Sequence, residues 1–155
     1  MATAKTKVEK VRTSSKGLFF PKYPEKYVGD LNNIIYRSSW ERRFMEFCDA
    51  NLNIMKWGSE EIYIPYMKPT TKRMHRYYPD FFIMYQNSKG QMVKEIIEIK
   101  PMKETVLTKK SSTYDKVAIV INMAKWEAAK QFCAAHGMTF RVLTEQSLFR
   151  TGKAK

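Results

Sequence analysis

Residues 77–100 read YYPDFFIMYQNSKGQMVKEIIEIK, two apolar runs joined by the turn-forming NSKG. No other stretch limits the fold as much. Runs 77–85 and 91–100 have strand composition, and the short loop between them ends in Gly90, which is free to take positive φ. A hairpin of this kind fixes which residues face each other. Both runs also carry charge where a half-buried strand disfavours it: Asp80 directly after Pro79, and Glu98 and Lys100 on either side of Ile99. Strand side chains alternate faces. Glu98 and Lys100 therefore share one face, about 7 Å apart at ~3.3 Å per residue, while Ile97 and Ile99 point to a core. Pairing through NSKG brings Asp80 toward Glu98, and Pro79 favours a bend or bulge at that point.

Two carboxylates side by side offer oxygens to a hard divalent cation. Magnesium suits them, because it takes one or two carboxylates and keeps several waters. Such an ion polarises a phosphodiester and lowers the pKa of water, and a neighbouring Lys100 orients that water or stabilises charge on phosphorus. The bland alternative is a solvated strand rim worth little to stability, since Pro-Asp followed by acid-x-Lys is a short pattern. Charge balance favours the first reading. A net charge of +13 and a pI near 9.7 point to a polyanionic partner, nucleic acid before a membrane surface, because no long amphipathic basic helix is evident.

The 155 residues suit one core. Residues 1–16 hold five basic residues, one acid and no apolar period, and read as a basic arm. Residues 17–150 read as a single domain and 151–155 as a basic tail. Within the domain, 17–37 packs irregularly, with Ile34, Ile35 and Tyr36 extended. SSWERRFMEFCDA (38–50) is a helix with Ser38 as N-cap and Trp40, Phe44, Phe47 and Cys48 as its apolar stripe. Glu41 has two competing roles, capping-box partner of Ser38 or a further metal-facing carboxylate from the packed helix. EEIYIPYM (60–67) alternates as a strand, with Pro65 marking an edge. The linker that follows, carrying Lys72, Arg73, His75 and Arg76, reads as an exposed basic tip. Residues 113–137 follow one helical phase to a stop at Gly137, despite the β-prone VAIVI, and carry Lys125 as either a DNA contact or part of a solvated face. MTFRVLT (138–144) is a last strand. The order is α-β-β-β-α-β, a mixed sheet with a helix on each face.

Cys48 and Cys133 form neither a disulfide framework nor a four-ligand zinc site, and read as buried free thiols of a reducing compartment. The apolar runs fall short of the ~20 residues of a membrane span, and the N-terminus lacks a signal peptide's apolar stretch. The expectation is a soluble protein made inside the cell, with no membrane partner.

Taken in order, PEKYVGDLNNIIYRSSWERRFMEFCD, YYPDFF, EIKP and NMAKWEAAKQFCAAHGMTFRVLTE resemble the PD-(D/E)xK nuclease superfamily. The likeness is strongest to the TnsA-like endonucleases and to the head completion nucleases of T-even-like tailed phages, and it spans residues 24–146. It implies an α/β, restriction-endonuclease-like αβββαβ core with a mixed central sheet flanked by helices. It implies a DNA endonuclease using Mg2+, or Mn2+ in its place, with Asp80 and Glu98 binding metal, Lys100 as catalytic lysine and Glu41 as the helix-borne acid. DNA would be held by Lys72, Arg73, Arg76 and Lys125. In a phage such a protein would act on the filled head after packaging and before tail joining. It would work in the host cytoplasm or the virion head, against DNA and against portal or other head and neck proteins. Two rivals stand beside it: a non-catalytic DNA- and portal-binding adaptor of the same fold, and a nuclease for recombination or branched DNA. The adaptor would have lost an acid or the lysine, and neither is lost here.

Overall fold

A computed structural model describes residues 16–148. The expected basic arm, Lys16 apart, and the tail 151–155 lie outside the described residues.

The chain enters through β1 (Gly17–Leu18) and β2 (Ile35–Tyr36), a short antiparallel pair. It continues as α1 (Ser39–Ala50), β3 (Ile54–Ser59), β4 (Ile64–Lys68), β5 (Arg73–Tyr77), β6 (Phe81–Gln86), β7 (Met92–Ile99), α2 (Thr113–Ala135) and β8 (Thr139–Leu143). The main sheet runs β3-β6-β7-β8. Its first two pairings are antiparallel and β7–β8 is parallel, with α2 as the crossover that a parallel pair requires. The second half of β7, Glu95–Ile99, is buried, with Ile96 turned to one face and Ile97 and Ile99 to the other. On one face, Phe44, Met45 and Cys48 of α1 meet Trp57, Phe81, Ile83, Ile97, Ile99 and Leu143. On the other, Ala129 and Cys133 of α2 meet Ile64, Tyr66, Tyr77 and Ile96. The α/β class, the mixed sheet and the helix on each face agree with the sequence.

Local chemistry bounds α1 and α2. The Ser38 hydroxyl accepts from the Glu41 N–H at 3.2 Å, and Ser112 does the same for Asp115 at 3.1 Å. At the far end of α1 the Lys26 ammonium donates to the carbonyls of Cys48, Asp49 and Asn51 at 2.7, 2.9 and 2.8 Å, a cation where the helix dipole favours one. At the end of α2, Gly137 adopts φ +70°. That left-handed step lets the Met138 N–H reach the Cys133 carbonyl at 2.8 Å. Both cysteines are free and buried, as expected.

Three strand expectations are corrected. The first strand of the main sheet is Ile54–Ser59, not 60–67. Its register slips between Ile54 and Lys56, and a bulge breaks the period of two by which a strand is recognised. Residues 64–68 instead pair with 73–77 in a separate two-stranded hairpin, so the basic linker is mostly strand and only 69–72 form its tip. The run 77–85 is split, because Tyr77 closes β5 and Phe81 opens β6. Pro79 has no N–H for a ladder, and the chain bends at Asp80. Among the described residues no helix is long and apolar enough to cross a membrane.

Candidate active site

The antiparallel register pairs Phe81 with Ile97, so the next residues outward, Asp80 and Glu98, face each other. Asp80 turns a carboxylate oxygen back onto the neighbouring strand, where it accepts from the Ile99 N–H at 2.8 Å. Glu98, only 5% exposed, accepts from the Tyr77 hydroxyl at 2.7 Å. Lys100 leaves the end of β7 with its backbone N–H bonded to the Leu143 carbonyl at 3.0 Å. Its ammonium lies 3.7 Å from Glu98 Oε2 and 4.0 Å from Glu104 Oε1. The three residues singled out in the hairpin thus meet at one end of β6 and β7.

Glu41 approaches from α1. Its Oε1 accepts from the Arg37 N–H at 2.8 Å, one residue earlier than a capping box would place the bond. The same carboxylate stays close enough to Glu98 and Asp80 for their charges to interact. Helix capping and a place among the acids are compatible, where the sequence set them in competition. Beside it, the Arg37 guanidinium grips Glu60 through two bonds of 2.9 Å. Glu60 sits at φ 55° and donates its N–H to the Asp80 carbonyl at 3.1 Å.

The electrostatics follow from this crowding. Burial, then the charge of Glu98, hold the Asp80 carboxyl well above its ordinary range, against the pull of the Ile99 N–H and Lys100. Burial also raises Glu98, while the Tyr77 hydroxyl, Lys100 and Lys125 oppose the rise. Glu41 is raised chiefly by burial, with the Arg37 N–H working the other way. Lys125 is lowered, first by burial and next by Lys100. Its ammonium lies 5.9 and 5.5 Å from the ring centres of Tyr66 and Tyr77. Lys125 therefore belongs to the inner wall of the acid cluster. Lys72 and Arg73 stand at the tip of the β4–β5 hairpin and Arg76 on its outer face, apart from the acids.

A hard divalent ion fits this donor set. Two carboxylates held together against repulsion are discharged by one cation. Among the described residues no group of three or more His, Cys, Asp or Glu is gathered to hold a metal. An ion that keeps most of its waters needs only one or two carboxylates from the protein. A cavity of about 580 Å³ lies elsewhere, between α1 and the sheet, lined by Phe44, Phe47, Ile83 and Leu148. It shares no residue with the acid cluster, and a long polyanion is met by a surface rather than by a cavity.

Tyr77, Arg37, Glu60 and Glu104 join the site without having been expected from the sequence. Only Tyr77 carries a signal there, since its place in YYPD puts it a few residues before Asp80. The others depend on contacts between distant segments.

The sequence model described as TnsA-like endonuclease N terminal matches residues 51–145. The head completion nuclease of Enterobacteria phage T4 is 37% identical over 146 residues, covering 88% of this chain and 95% of that one. No solved structure matches.

Proposed function

The chain belongs to the TnsA-like endonucleases and is a homologue of the T4 head completion nuclease, and from that membership we propose a metal-dependent DNA endonuclease of the PD-(D/E)xK type that acts in phage head completion. The observation that carries the metal assignment is the register that sets Asp80 against Glu98, with Lys100 at 3.7 Å. Asp80 and Glu98 would hold a divalent ion, Mg2+ or Mn2+, with Glu41 as the helix-borne acid beside them. Bound there, the ion supplies polarisation of the phosphodiester and a lower pKa for the attacking water.

The chain's own residues do the rest. The Ile99 N–H and the Tyr77 hydroxyl fix one oxygen each of Asp80 and Glu98, and the second oxygen of Glu98 faces the Lys100 ammonium. Lys100 is tethered between Glu98 and Glu104, where its ammonium meets the water or the charge growing on phosphorus. Lys125 adds a second cation behind it. Lys72, Arg73 and Arg76 meet phosphates further along the DNA, releasing counterions as they do so. Nothing in this arrangement reads base edges, so DNA structure or position guides cutting. The setting is the filled head, in the host cytoplasm or the virion, with the portal or other head and neck proteins as neighbours.

The test is cleavage of linear, nicked, single-stranded and branched DNA with Mg2+ or Mn2+, comparing wild type with Asp80→Ala. Cutting by wild type alone is expected. An Asp80→Ala protein that cuts as well as wild type would overturn the site assignment. A wild-type protein inert on every substrate would leave the adaptor role instead.

A further inference from the structure

The β4–β5 hairpin has two unlike faces. Its inner face, Ile64 and Tyr66 opposite Tyr77, is buried against α2. Its outer face is a ladder of three rungs, Tyr63 beside Tyr78, Pro65 opposite Arg76, and Met67 opposite Met74. The outer face of a ribbon with one buried side is ordinarily polar. Here Tyr63, Met67, Met74 and Tyr78 are 45%, 53%, 60% and 47% exposed, and the one charge among the six side chains is Arg76. The two tyrosine rings lie 5.9 Å apart with planes tilted by 50°. The Arg76 guanidinium sits 4.4 Å from the centre of the Tyr63 ring and also neighbours Tyr78. Tyr78 is two residues before Asp80, within about 7 Å along an extended chain.

Exposed rings beside a guanidinium are what unpaired bases stack on. Every base has a π-face, the arginine meets the adjoining phosphate, and no sequence is read. Within a duplex, a paired base offers no such face. The +13 charge selects a polyanion as occupant, the rings select one that carries stacking faces, and the ladder is continuous with the strand that delivers Asp80. We propose that Tyr63, Arg76 and Tyr78 form a platform for an unpaired base on the outer face of the hairpin that leads into Asp80, so that the substrate is duplex DNA bearing a single-stranded segment.

This rests on the endonuclease reading, and the two fail separately. Binding is measured in chelator, so that nothing is cut, between the full-length protein and two DNAs. One is a blunt duplex and the other is the same duplex with a short single-stranded extension carrying 2-aminopurine. Wild type should prefer the extended DNA by about 5- to 100-fold, the range expected of one stacked base, and should quench the analogue. Tyr63→Leu with Tyr78→Leu should abolish both the preference and the quenching, while Tyr63→Phe with Tyr78→Phe keeps them. Equal binding of the two DNAs by wild type, an unquenched analogue, or a leucine variant that retains both signals would overturn the proposal. Should the leucine variant not fold, wild-type quenching and its survival in the phenylalanine variant decide. Cleavage of the same DNAs with Mg2+ separates the two readings: preference without cutting rejects the endonuclease, and cutting without preference rejects the platform.

Discussion

The molecule contains two hairpins that each invert the usual distribution of polarity. The β6–β7 hairpin lies in the middle of the main sheet and buries charge, with Glu98 5% exposed and Asp80 beside it. The β4–β5 hairpin stands outside that sheet and exposes apolar and aromatic side chains in a row. Charge inside and rings outside are both costly for a folded chain alone. On the two proposed readings each inversion has a partner that offsets it: a cation for the buried acids, a base for the exposed rings. Folding and function are thus opposed in two neighbouring places, by different physics, on either side of Asp80.

The strongest way to break the comparison is to remove the charge and keep the shape. Asp80→Asn preserves an acceptor for the Ile99 N–H and should lower the cleavage rate by on the order of 10³-fold, as should Lys100→Ala, with circular dichroism unchanged. Residual activity near wild type in both would show that the hairpin's charge serves only structure.

A smaller effect is expected at Tyr77. Its hydroxyl stabilises the charged form of Glu98, so Tyr77→Phe should raise the Glu98 pKa. The acid limb of the cleavage–pH profile should then move to higher pH, with a loss of about 10-fold at neutral pH, since a hydrogen bond to a charged group is worth ~1.5–3 kcal/mol. An unmoved limb would mean that Tyr77 merely packs.

The metal-free protein offers a third test, of stability. Asp80, Glu98 and Glu41 all titrate higher in the folded chain than in the unfolded one, where acids titrate near ~4. The folded state therefore binds protons more tightly. This contribution is fully present below about pH 4 and is lost as pH rises through the folded values. Melting in chelator should accordingly show these acids favouring the fold less at pH 8 than at pH 6. Asp80→Asn should melt about 2–4 °C higher at pH 8, the shift ~1 kcal/mol makes in a chain of this size, and adding Mg2+ should raise wild type but not the variant. A lower melting point for Asp80→Asn in chelator would refute the repulsion.

The smallest effects belong to the tip. Lys72→Ala with Arg73→Ala should weaken duplex binding a few-fold and reduce the slope of log K against log salt by about 2, one for each phosphate no longer neutralised. An unchanged slope would place DNA away from the tip.

The two hairpins also differ in how legible they are in the sequence. NSKG, with Asn87 and Gly90 at its ends, announces the β6–β7 turn, and Gly90 takes φ +78°. Register then follows, and with it the meeting of Asp80, Glu98 and Lys100. Ser38 and Gly137 mark the helix limits for the same reason, since caps are local chemistry. The β4–β5 hairpin shows itself only by half, through Pro65 and the alternation of Ile64 and Tyr66, and reads as a strand of the main sheet. Nothing local distinguishes a strand that joins a sheet from one that stands apart. β3 is hidden because its bulge breaks the alternation. Arg37 with Glu60, and Glu104 with Lys100, arise only when the folded backbone brings their segments together, so no spacing reveals them.

The parallel pairing of β7 with β8 has a consequence in time. Glu98 lies on β7 and Lys100 just past its end, and the outer neighbour of β7 is β8, made some forty residues later and after the whole of α2. The Lys100 N–H has its carbonyl partner on Leu143, and the Met102 N–H has its acceptor on Glu145. While the chain is still on the ribosome, Asp80 and Glu98 emerge on a hairpin with one open edge and an unanchored lysine. The cluster closes only when Leu143 and Glu145 arrive. A chain of a nuclease family is thereby completed last around the acids proposed as its site.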